Sequence, residues 1–141
     1  MTSRTASTHN STLLLLMLLY GAASLLHFAH NAVYVHDYPN LPRWVTAERV
    51  WIAWCGEAAV GALGYWLYRR VSRWAGLVLI TLYGVLGFAG LDHYTVAPMG
   101  AHSLFMNVTI LTEVATALVL LLFVAHSMLL TRRPMRLRFD D

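Results

Sequence analysis

The sequence has no lysine, a single cysteine, four prolines and few charges of either sign, and each shortage closes a class of explanation. One thiol, Cys55, permits no intramolecular disulfide and no redox chemistry by a thiol pair. It also excludes the paired-cysteine signature of structural zinc. Charged residues make up 12% of the 141 residues, about half the ~25% usual in soluble domains. A water-soluble surface cannot be covered with so little charge.

Other absences concern motifs. There is no Gly-x-Gly-x-x-Gly dinucleotide fingerprint, no phosphate-binding loop and no Gly-x-Ser-x-Gly nucleophile elbow. Seven histidines are too few for the multi-histidine boxes of membrane desaturases and hydroxylases.

What is present is apolar. Hydrophobic residues reach 58%, against about 45–50% in soluble domains, and mean hydropathy is +0.56. Lipid is therefore the expected solvent for much of this surface. Four long apolar runs lie at about 13–35, 46–68, 74–94 and 102–130. Each has about 20 or more residues, enough to cross ~30 Å of hydrocarbon at ~1.5 Å per residue.

The expected fold is all-α: an antiparallel, up-down bundle of four transmembrane helices occupying 12–131. A polar tail at 1–11 is expected to be disordered, and 132–141 to form a basic cytoplasmic tail. Thr46 is the expected N-cap of the second helix, with Glu48 in its first turn. Pro39 and Pro42 stop any helix in the first loop. Leu13–Tyr20 followed by Gly21-Ala22-Ala23 also fits a cleaved signal peptide, although apolar character continues to Val35.

All ten basic residues are arginine, and eight of them fall at Arg4, at Arg69, Arg70 and Arg73, and at Arg132, Arg133, Arg136 and Arg138. The first and third loops offer only Arg43 and, just inside the second helix, Arg49. Positive loops stay inside. Both termini are thus expected in the cytoplasm, in a multi-pass protein of the cytoplasmic (inner) membrane. Basic residues flanking apolar runs are topology signals, so nucleic acid is not an expected partner. The bilayer is, and a homo-oligomer or a larger membrane complex remains open.

Ionisable side chains inside a membrane are costly and usually face the bundle interior. The candidates are His27, His30, Glu57, Asp92, His93, His102 and Glu113, with Asn31 beside them. Under the expected topology all lie in the outer half, and Glu57 and Glu113 reach mid-membrane. The inner half offers only His126. At ~100° per residue, Tyr20, Ser24, His27, His30, Asn31 and Tyr34 share about a third of the first helix's circumference. His102, Thr109, Thr112, Glu113 and Thr116 share a face of the last helix, with Asn107 opposite. Asn107-Val108-Thr109 reads as a glycosylation sequon but lies inside a span.

Several chemistries fit that set. His27-x-x-His30 with Glu57 and Glu113 has donors for a transition metal (Zn, Fe, Mn or Cu), as in bundle-core carboxylate sites. Ligand type alone does not choose the metal. A second reading is a pocket for a lipid-like molecule, or an enzyme acting on one, with a histidine as acid–base partner. A third is proton or cation passage from His93 and His102 inward. In size and hydropathy the chain is similar to the small multidrug-resistance exporters, but their membrane glutamate belongs to the first helix and Glu57 to the second. A fourth is an accessory or assembly subunit held together by polar contacts between helices. His36-Asp37 and Asp92-His93 form a further outer-face pair of acid–imidazole neighbours.

Overall fold

The computed structural model describes residues 3–131, with side chains described from 7 to 130. The basic tail expected at 132–141 lies outside the described residues. Within them the chain is all-helical: α1 (Ser3–Val33), α2 (Ala47–Arg70), α3 (Arg73–Leu86), a single turn α4 (His93–Val96) and α5 (Leu104–Thr131). Tight 3-10 segments at Gly87–Asp92 and Met99–Ala101 precede α4 and α5.

Three stretches are long and apolar enough to cross a membrane: Ser7–Val33, Arg73–Val96 and Leu104–Leu130. The second expected span, α2, has the length at 24 residues. It carries Glu48, Arg49, Glu57, Arg69 and Arg70, however, and is not among the three.

Local chemistry sets the element ends. Thr46 accepts from the Arg49 backbone N–H and caps α2. Ser72 does the same for α3 through Ala75, and the Ser103 hydroxyl accepts from Met106 N at the start of α5.

The 3-10 segment continuing α3 begins at Gly87, where a Cβ would lie 2.6–2.8 Å from the Tyr20 ring and Ala117. Only glycine allows that approach, and the change of pitch falls there. Asn40, with φ 56°, takes the left-handed turn that asparagine tolerates. Its side chain donates to Val96 O and ties the first loop to the end of α4.

The expected disordered tail differs most. Helix α1 starts at Ser3, ten residues ahead of the apolar run. Its polar first turns have partners: His9 meets Ser127 at 3.0 Å and stacks on Phe123, and Asn10 accepts from Tyr68 at 2.7 Å. Arg73 also donates to Tyr68.

Helix α1 packs on α5 and α2, α2 on α3, and α3 on α5. One end of this bundle, the loop end, gathers residues 34–46 and 97–103; the other, the hairpin end, holds the α2–α3 turn. An apolar core of Leu13, Met17, Leu77, Ile80, Leu120 and Val124 fills the hairpin half. A smaller one at the loop end holds Tyr38, Met106 and Ile110.

The outside is more apolar than parts of the inside. Leu18, Ile52, Trp66 and Leu122 are more than half exposed, while Ser24, His27, Glu57 and Glu113 are buried. That inversion of the soluble pattern suits a hydrocarbon solvent.

Candidate functional site

The site is built on one face of α1. Tyr20, Ser24, His27 and Asn31 follow one another at spacings of four, three and four, which at 3.6 residues per turn is a single stripe. All four are buried. Three other elements meet that stripe.

From α2 comes Glu57, whose Oε1 accepts from Tyr20 at 2.6 Å and from Ser24 at 2.9 Å. Two such bonds offset the roughly 1–3 kcal/mol that burying an unpaired polar group costs. Glu57 is a satisfied carboxyl.

From α5 comes Glu113, which has no such partners. It is 1% exposed and neither carboxyl oxygen has a hydrogen bond. His27 Nε2 lies 3.7 Å from Glu113 Oε2. Gly90 lets the backbone approach this pair closely, since a Cβ there would lie 3.2 Å from Glu113 Oε2 and 3.9 Å from His27 Nε2.

From α4 comes His93. Asn31 Nδ2 donates to both His27 Nε2 (3.0 Å) and His93 Nε2 (3.2 Å). The first of these places the His27 proton on Nδ1, which faces Thr109 Oγ1 at 3.4 Å. Thr109 spends its own proton on Met106 O and can accept. These contacts suit a neutral His27 imidazole. The ring of His93 lies between Tyr38 and His27, with centroids at 4.8 and 5.5 Å. His102 stands edge-on to it at 6.1 Å, donating from Nδ1 to Pro98 O.

Two candidates fall outside this knot. His30 turns to Tyr38, whose hydroxyl lies 2.8 Å from its Nδ1, and packs on Phe105. Burial pushes the Tyr38 phenol up to about 12, so it stays neutral in that bond. Asp92 is exposed, lining a shallow crevice beside His93. His36 lines a separate loop crevice with Arg43.

The metal set is not gathered as spacing suggests. One turn apart, His27 and His30 face different partners, and Glu57 is engaged by Tyr20 and Ser24. Among the described residues, no three His, Cys, Asp or Glu side chains are grouped closely enough to hold a metal ion.

A cavity of about 300 Å³ opens against the knot between α1, α2 and the 3-10 segment. His27, Asn31, His93 and Arg49 are its polar lining, and the rest is apolar, with Phe28 and Trp44 prominent. Asn31 Oδ1, His102 Nε2 and both oxygens of Glu113 are the buried side-chain polar atoms without a hydrogen-bond partner among the described residues. Native proteins leave few such groups, and here all belong to one knot.

Sequence spacing missed Tyr38, Arg49 and Gly90, which reach the site through the first loop, the start of α2 and the 3-10 segment. It also missed the hairpin-end cluster of His9, Asn10, Tyr68, Arg73 and Ser127. The signal was available: His9 lies 18 residues before His27, five turns of helix on the same face.

No family model, curated protein or solved structure matches this chain.

Proposed function

We propose that this chain is a multi-pass protein of the cytoplasmic membrane that binds a small amphipathic ligand at its loop end. In this reading all four long helices cross the bilayer, up and down in turn, with both termini in the cytoplasm and the loop end facing outward. The arginine distribution supports that orientation. Burial of Glu57, far from either end of α2, supports the fourth span.

The observation that carries the ligand reading is the largely apolar cavity walled by His27, Asn31 and His93, with unpartnered atoms of Asn31, His102 and Glu113 buried in the same knot. His102 Nε2 is an acceptor because Nδ1 carries the proton. Asn31 Oδ1 is an acceptor by nature, and Glu113 keeps an acceptor oxygen in either protonation state. Each of the three residues can take a donor. A largely apolar cavity with a few convergent polar groups is the usual form of a small-molecule site, and this one asks for a ligand whose head donates an O–H. A charged amine suits it less, because Arg49 also lines the cavity. Metal binding is less well supported, since no three ligating side chains are grouped.

The test is thermal unfolding of detergent-purified protein with decanol, against decane as a control that partitions alike without a hydroxyl. Decanol is expected to raise the unfolding midpoint of the native protein, as binding to the folded state must, and to leave Asn31→Ala unchanged. Equal shifts with decane, or in Asn31→Ala, would contradict the reading.

A further inference from the structure

The cavity at the knot does not stand alone on the α1–α2 seam. A second hollow, of about 290 Å³, continues along it toward the hairpin end. Leu14, Leu18 and Gly21 line it from α1, and Trp54, Ala58 and Ala62 from α2. On α2 the two hollows are lined by chain neighbours, Ala53 in one and Trp54 in the other. Tyr83 forms the floor of the second. It can lie there because Gly21 and Gly61 carry no side chain: a Cβ at either would lie 3.0 Å from it.

Polarity changes along this path. The loop-end hollow has two imidazoles, an amide and a guanidinium; the lower one has only the tyrosines Tyr65 and Tyr83 among otherwise apolar residues.

Resting on the reading of the knot as a ligand site, we propose that the ligand is a long-chain hydroxylated lipid. Its hydroxyl binds at Asn31, and its hydrocarbon tail lies in the α1–α2 groove down to Leu18 and Ala62. From Asn31 to Leu18 is 13 residues, so the path is about 20 Å at ~1.5 Å per residue. An extended alkyl chain advances about 1.25 Å per carbon at ordinary C–C bond lengths and angles. About 16 carbons therefore reach Leu18, and about eight end roughly seven residues from Asn31, near Leu25 and Ala53.

This ruler can be read directly. Two straight-chain alcohols, of eight and sixteen carbons, carry a diazirine at the end remote from the hydroxyl. Each is photolysed with the detergent-purified full chain, and the labelled residues are located by peptide mass spectrometry. The short alcohol should label Leu25 and Ala53, and the long one Leu18 and Ala62. Asn31→Ala should lower both labels at least fivefold. The exposed position Ala62→Trp should abolish the long probe's label while sparing the short one's. Both lengths labelling the same residues would overturn the groove assignment alone. So would the long probe marking lipid-facing Val78 and Leu122 as strongly as Leu18. Labelling by both probes that is indifferent to Asn31→Ala would overturn the head site as well.

Discussion

Glu57 and Glu113 come from different helices to the same stripe of α1 and meet opposite fates. Glu57 holds two O–H donors, and Glu113 holds none. The difference gives a paired prediction. Tyr20→Phe deprives Glu57 of its shortest bond and should destabilise the detergent-purified protein by about 1–3 kcal/mol, the usual cost of orphaning a buried polar group. Glu113→Gln removes no hydrogen bond and should leave the unfolding midpoint unchanged or slightly raised, while abolishing the shift that decanol produces. A large loss of stability in Glu113→Gln would mean that the carboxylate serves the fold. At this scale the sequence was legible in part: helical phase alone places Tyr20, Ser24, His27 and Asn31 together. It does not decide between His27 and His30, which lie only about 60° apart around the helix. Their partners decide it, and Tyr38, Thr109 and His93 arrive from other elements.

Among elements, the α2–α3 pair depends on a backbone contact. A Cβ at Gly76 would lie 2.3–2.4 Å from the N and Cα of Tyr68. Main chain cannot step aside as a flexible side chain can, so Gly76→Ala should force the hairpin open and lower the unfolding midpoint strongly. Gly56→Ala, where nothing lies within 4 Å, should instead stabilise by up to about 1 kcal/mol through helix propensity. Equal effects of the two would contradict the packing of α2 on α3. The apolar runs made the long helices legible, but not where α1 begins. His9 and Asn10 read as a polar tail because their partners, Ser127 and Tyr68, lie 118 and 58 residues away. Nor does spacing reveal the 3-10 pitch at Gly87–Asp92, which follows from Tyr20 pressing against Gly87. Asn107 faces away from the polar stripe of α5 for a similar reason. It donates to Met99 O and His102 O and accepts from Tyr94, pinning the turn before α5.

For the whole molecule, composition was the strongest guide, because a chain so poor in charge must bury its polar groups and expose its leucines. The proposed orientation can be checked in a Cys55→Ala background with a membrane-impermeant maleimide on intact cells. A cysteine at Asp37 in the first loop should react from outside, and one at exposed Val71 in the α2–α3 turn only after lysis. The reverse pattern would turn the bundle over and place the site on the cytoplasmic face.

The polar path from Tyr20 through Glu57, Ser24, His27 and Asn31 to His93 stops at the apolar core of the hairpin half, which favours a dead-end binding site over a through channel. Native mass spectrometry of the protein released directly from its own membrane measures occupancy of that site. One hydroxylated lipid per chain is the expected result, lost in Gly90→Leu, which fills the space beside Glu113, and in Ala53→Trp, which narrows the cavity from α2. A chain that carries no such lipid, or that carries it undiminished in both variants, would contradict the account.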